Sequence, residues 1–291
     1  MINLTPLETL QVIQPINFEY SKSKLLELIT AISPDVELYE SSDTMLLVES
    51  FLYDLMHRDE ALNVRFRNAL PIYATGTNLD DACLNWYGTT RLEGEDDKAF
   101  LERSLLSLQQ SSTAGAEWTY IYHVKTVDAR IVDVLPWRNA PGEVSITWYA
   151  VVEGNTEEQN IAYAKLQNDI VQKLIDKKLK PIGDIVYYVG DQSLHVNRAI
   201  EVPFTIHATL RIQTGVDGTL AKETALKNIN AWLLELKIGQ DIKPSKVTSL
   251  LHVAGVDEVV MTNPTQALVI DKYSIASCTS VTLTLGGQID E

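Results

Sequence analysis

The sequence predicts an α+β protein: an N-terminal helical segment over residues 1–75, followed by two related small α+β units, 76–190 and 191–291, each packing helices on a short sheet. Three observations carry this. Met45, Val48, Leu52, Leu55, Leu62 and Phe66 recur at helical spacing, with the repeat broken at Asp59. Val144, Ile146, Trp148 and Ala150, and later Val202, Phe204, Ile206, Ala208, Leu210 and Ile212, occupy alternate positions, the spacing of strands with one buried face. The phrase His123-Val124-Lys125-Thr126-Val127-Asp128 is echoed 129 positions later by His252-Val253-Ala254-Gly255-Val256-Asp257. Both copies pass from a helix into a β-branched run that heads toward a proline, Pro136 or Pro264. A repeated supersecondary block accounts for this echo, and chance similarity is the competing account of so short a match.

Taken in order, residues 1–22 read as irregular, because Pro6 and Pro15 limit helix, and a short helix follows over 23–32, stopped before Pro34. The next helix is capped by Asp43 and ended by Pro71. At 1.5 Å per residue it is roughly 40 Å long. Its heptad-like seam, widened by Leu47 and Phe51, has little neighbouring sequence to cover it, so Met45, Val48, Leu52, Leu55, Leu62 and Phe66 are the candidate partner interface. Asp59 is read as selecting register within a helical bundle.

Gly76 lies in a linker and Thr77 or Asn78 starts a short helix that Gly88 ends. Another helix begins near Glu95-Asp96-Asp97. This acidic cluster invites a cation site, yet carboxylates in a first helical turn are favoured by the unpaired amides there, and no calcium-loop spacing is present. After the Gly115 loop, Trp118, Ile121, Tyr122 and Val124 share one side of a helix, and two strands follow around a Pro141-Gly142 turn. Thr156 with Gln159 fits a capping box for a helix to about residue 180, read as the crossover between sheets, with Leu166, Ile170, Leu174 and Ile175 inward. Strands are expected over 185–189 and 201–212, a helix over 219–237, and a helix capped by Ser245 that runs to Val253. Gly255 sits where a left-handed helix C-terminal residue belongs, and strands near 258–261 and 280–285 close the chain. Gly76, Gly115 and Gly255 are the candidate structural turns.

An ordered set of phrases resembles the baseplate assembly protein J family of contractile-tailed phages and related tail-like particles. Its residues are Gly76-Thr77-Asn78-Leu79-Asp80, Tyr87 with Thr89-Thr90-Arg91-Leu92, Ala114-Gly115, and Tyr122-His123. Further on come Lys180-Pro181 with Asp184, Ala208-Thr209-Leu210, Gly239-Gln240-Asp241-Ile242, Leu251-His252-Val253 with Gly255-Val256, and a Gly286-Gly287 tail ending in Asp290-Glu291. The first 75 residues match only as a helical region. The resemblance implies a structural baseplate wedge subunit without catalytic residue, cofactor or metal. Such a subunit dimerises, joins other wedge subunits, the sheath-initiating subunit and hub proteins, and forms the ring that passes the firing signal to the sheath. It also implies assembly in the host cytoplasm and a final place in the particle's tail baseplate.

Composition agrees with that class. Lys and Arg number 24 against 39 Asp and Glu, a net charge of −15, whereas a nucleic-acid footprint needs clustered cations. The acidity is read as solubility. Cys83 and Cys278 are too few and too far apart for a disulfide scaffold or a metal cluster, which fits folding in a reducing cytoplasm. The N-terminal residues lack a basic stretch followed by an apolar core, and no window is long and apolar enough for a bilayer span; neither export by a signal peptide nor membrane insertion is expected.

No dinucleotide fingerprint, phosphate loop, HExxH or GxSxG motif is present. His123 and His252 each precede an Asp by five positions; a repeated position where imidazole caps or packs is favoured over a duplicated site. Paired carboxylates abound in so acidic a chain and say nothing for glycoside hydrolysis without a measured separation. Trp118, Trp137 and Trp148 are read as core and subunit contact. Three functional classes follow: a baseplate subunit, a tail-associated cell-wall hydrolase, and a free-standing binding module.

Overall fold

The computed structural model describes residues 17–36, 39, 42–110, 116–179, 193–213, 215 and 217–286. The strand expected over 185–189, the Gly115 loop and the Gly286-Gly287 tail beyond residue 286 lie outside these. The architecture is α+β, with N-terminal helices and two three-stranded sheets. Contacts gather the chain into two compact units, Met1–Arg91 with Asp96–Leu105, and Leu92–Glu95 with Leu106–Glu291.

The first unit holds α1 (Phe18–Ile32), α2 (Asp43–Asn68), α3 (Gly76–Tyr87) and nearly all of α4 (Asp97–Leu106). An expected boundary at residue 75 would have put α3 and α4 with the first sheet. They fall in the same compact unit as the N-terminal helices, and within it Leu79, Ala82 and Cys83 of α3 close a small core with Phe100 of α4 and Ala74. Around that core the Arg91 guanidinium reaches Asp80 and Asp97, each at 2.7 Å, and lies 4.8 Å from the centre of the Phe100 ring. Gly76 is not a loose linker. It opens α3 at φ +56°, and its N–H donates to Asp97 Oδ2 at 2.9 Å. That hydrogen bond, with Arg91 adding to it, holds the Asp97 carboxyl below the usual carboxylate range.

The second unit begins with α5 (Glu117–Lys125), β1 (Ile131–Arg138), β2 (Val144–Ala150), α6 (Thr156–Lys177) and β3 (Leu194–Arg198). β1 pairs antiparallel with β2, and β2 pairs parallel with β3. The crossover α6 therefore joins two strands of one sheet instead of passing between sheets. Its cap is Asn155, whose side chain accepts from Glu157 and Glu158 N–H while Glu158 reaches back, so the capping box is one residue earlier than Thr156 with Gln159. Pro136 was expected to end the first strand, but β1 runs on through it to Arg138, which an edge strand tolerates because an N–H facing outward has no ladder partner to lose. The buried side of α5 is Tyr120, His123 and Val124 with Thr119 and Tyr122; Trp118 is 47% exposed. The three tryptophans do not form a common core: Trp148 is fully buried, while Trp137 meets Tyr273 edge to face at 5.0 Å.

The rest comprises β4 (Ile200–Ile212), α7 (Gly218–Leu233), α8 (Pro244–Leu251), β5 (Val256–Asn263) and β6 (Ser274–Leu285). β4 is central, antiparallel to β5 and parallel to β6. Phe204, Ile206, Ala208, Leu210 and Ile212 point into a core closed by Ala225, Ile229 and Trp232 of α7 and by Val247 and Leu251 of α8. Both sheets thus combine an antiparallel edge, a centre and a parallel edge. Their chain order differs: antiparallel edge, centre, parallel edge in the first, and centre, antiparallel edge, parallel edge in the second. The repeated phrase marks the same helix-to-edge-strand junction twice and extends no further. Pro244, at the start of α8 after Lys243, replaces the expected Ser245 cap, and the helix ends at Leu251.

Gly255 stands at φ +89° in the turn closed by the Val256 N–H to Val253 O bond of 3.0 Å, four residues past the end of α8. A β-branched side chain is strained at that backbone angle, so Gly255→Val should lower stability by about 1–3 kcal/mol, read as a shift in the urea midpoint. An unchanged midpoint would contradict the strain argument.

The two sheets are tied closely. Only Ala199 separates β3 from β4; its N–H donates to Trp148 O in the first sheet, and the Ile200 N–H donates to Tyr273 O beside the second, both at 2.8 Å. The Asp133 carboxylate, 8% exposed, accepts the Ile238 N–H at 2.8 Å and lies 3.5 Å from the Lys237 ammonium.

Candidate interaction surface

The feature with most potential for function is the α1–α2 hairpin. Asn17 caps α1 by accepting the Tyr20 N–H at 3.1 Å, so the helix begins at Phe18 and not Ser23. Ser42 caps α2 by accepting the Met45 N–H at 3.3 Å, which places Asp43 in the first turn instead of at the cap. The hairpin is pinned by Lys22 and Glu49 at 2.6 Å. Yet α1 buries no residue, and Tyr20, Leu28 and Ile32 are 61, 58 and 80% exposed. A short helix is marginal without a buried face. α1 as it stands has no such face.

The α2 seam divides along its length. Met45, Val48 and Leu52 are buried within the chain, which corrects their assignment to a partner interface. Leu55 and Asp59 are half-buried, and Leu62 and Phe66 are open, 41 and 48% exposed. Leu47 and Phe51 beside the seam are more exposed still. The heptad spacing is therefore one continuous stripe whose N-terminal half is covered by its own chain and whose C-terminal half is not. Leu28 and Ile32 lie in the helix expected over 23–32, whereas Tyr20 falls in the extra turn that the Asn17 cap adds.

The other candidates resolve into structural parts. In the acidic cluster, Glu95 accepts the Leu92 N–H, Asp96 accepts the Ala99 N–H, and Asp97 is held by Gly76 and Arg91. Among the described residues no group of three or more His, Cys, Asp or Glu is placed to hold a metal, and no helix is long and apolar enough to cross a membrane. The two histidines differ. His123 is 2% exposed and its Nε2 has no hydrogen-bond partner; burial, with Lys177 and Lys173 adding to it, pushes its pKa down to about 4. His252 is exposed at the end of α8, its Nε2 3.3 Å from Asp257 O. Cys83 and Cys278 are free, and burial pushes both thiols up, away from the reactive thiolate.

A helical hairpin with an uncovered apolar stripe has the character of a surface for other chains. Residues 204–284, from β4 to β6, match the family described as Baseplate J-like protein C-terminal domain. Along 99% of its length the chain is 24% identical to Baseplate protein J of Escherichia phage P2, with 98% of that protein covered. The chain is thus similar to baseplate J-like proteins, through the C-terminal domain family over 204–284 and through the phage P2 protein over nearly its whole length.

Proposed function

We propose that the protein is a structural wedge subunit of a contractile-tail baseplate, without catalytic activity, in which the α1–α2 hairpin packs into an intermolecular helical bundle with a second copy and a neighbouring wedge subunit. The sheet-bearing unit makes the ring contacts that couple baseplate opening to sheath contraction. Likeness to the phage P2 baseplate protein over nearly the whole chain supports the baseplate role. The observation that carries the division of labour is the hairpin: α1 buries nothing, and the α2 seam emerges uncovered at Leu62 and Phe66. An apolar stripe of that length in water gains by burial, at about 25 cal/mol per Å² of apolar surface removed from solvent.

Leu52, at 1% exposure, is unsuitable for a test because an aspartate there would unfold the unit. Leu62→Asp with Phe66→Asp charges only the open half of the seam. The double variant should keep its circular dichroism spectrum and unfolding midpoint but fail to co-purify with the neighbouring wedge subunit when the two are co-expressed. Co-purification at the wild-type level would show that the bundle does not use this face.

A further inference from the structure

The second sheet has two edges, and they are guarded unequally. β5 carries Asp257 and Glu258, the latter paired with Arg211 at 2.8 Å. β6, at 12 residues, reads Ser-Ile-Ala-Ser-Cys-Thr-Ser-Val-Thr-Leu-Thr-Leu. It holds no charge and no proline, in a chain that is 22% charged. Soluble proteins protect exposed edges with charges, prolines, bulges or short strands, because the unpaired backbone groups of an edge template another strand. The one irregularity in the β4–β6 ladder falls between Phe204 and Thr205, so β6 runs regularly from Ser280 to Leu285. Among the described residues nothing pairs with its outer side.

The direction of the free groups follows from one bond. The Gly286 N–H donates to Leu210 O at 2.8 Å, so Gly286 faces β4, and by the strand alternation the backbone groups of Val281, Leu283 and Leu285 face away from it. An antiparallel partner centred on Leu283 sets Leu283 opposite its own copy and Val281 opposite Leu285. Thr282 then stands opposite Thr284. In that register apolar residues meet apolar ones on the core side and threonines meet threonines on the open side, and Leu285, now 46% exposed, becomes covered.

We propose that the outer edge of β6 pairs antiparallel with β6 of a second copy of this chain, fusing two second sheets into one. The strand is complementary to itself in this register, and its lack of charge lets two copies approach there although each carries a net charge of −15. This contact is separate from the helical bundle and goes beyond it.

The test uses the full chain carrying Leu62→Asp and Phe66→Asp, so that the helical face contributes nothing, followed by sedimentation velocity. A dimer with a dissociation constant on the order of micromolar is expected for a small strand-paired interface. Adding Thr282→Lys with Thr284→Lys sets like charges opposite each other twice and should weaken the dimer roughly tenfold. Adding Thr282→Lys with Thr284→Glu instead sets opposite charges across the two-fold axis and should restore it. Leu285→Pro removes an outward N–H without taking a donor from the β4 ladder, and should also weaken the dimer if the lysine variant fails to fold. A monomeric background, a dimer indifferent to the paired lysines, or a Lys/Glu variant as weak as the Lys/Lys one overturns the proposal. Co-purification through the helical hairpin is read separately and stands or falls by itself.

Discussion

Replacing Trp148 by alanine is expected to cost about 3–5 kcal/mol, the range for a large aromatic removed from a packed core. Trp148 is the largest fully buried side chain, on the central strand of the first sheet between α5 and α6. Its indole N–H donates to Gln167 Oε1 at 2.8 Å, and the Gln167 amide in turn donates to Val196 O on β3, so the alanine leaves a cavity and takes the partner from the half-buried Gln167 carbonyl. Trp148→Phe keeps most of the volume but not the donor, and should fall between wild type and alanine. Urea unfolding followed by far-ultraviolet circular dichroism gives the ranking. A loss below about 1 kcal/mol in Trp148→Ala would mean that this sheet is not packed as described.

Acid should destabilise the protein through His123 in a defined window. Its folded pKa is about 4 against an ordinary value of 6.5, because burial on the inner side of α5 disfavours the charged ring and Lys177 and Lys173 of α6 repel it. The folded protein therefore keeps the imidazole neutral while the unfolded chain binds a proton. The stabilising contribution is complete above pH 6.5 and drains away as pH falls to about 4. The interval is worth roughly 3 kcal/mol. Carboxylates titrate in the same range, so the measurement is a difference: stability of His123→Leu minus that of wild type, from pH 7 to pH 4. The variant should lose less stability on acidification than wild type. Parallel curves would remove His123 from the account.

The strands and helices that were legible in the sequence are those whose burial is one-sided. β4 alternates cleanly because α7 and α8 cover one of its faces and leave Thr205, His207, Thr209 and Arg211 on the other. β2 also alternates in apolar residues, yet Ser145 and Thr147 between them are buried too, because that second face lies within the fold. β3 was missed altogether: in Leu194–Arg198 only Leu194 and Val196 are apolar, too few to show a period. The α2 seam was visible as a pattern, but spacing alone does not say which neighbour covers which turn, and its division at Leu55 is a tertiary fact. Caps slipped by one residue at α2 and α6 and by two at α8, where two adjacent polar residues, or a proline, competed for the same role. The face of α5 was misassigned because Trp118, the bulkiest residue, drew the apolar side toward itself while Tyr120 and His123 took the buried positions.

The passage from β3 to β4 through Ala199 also has a mechanical meaning. A single stretch of backbone lies in both ladders, bonded to β2 in the first sheet and to β5 and β6 in the second. A pull that separates the sheets along this stretch acts parallel to the strands and across the hydrogen bonds, which must then yield together and not one after another. The Asp133 anchor beside the joint resists bending as well. A subunit made this way carries tension as a stiff tie, and displacement applied to one sheet reaches the other with little lost in stretch.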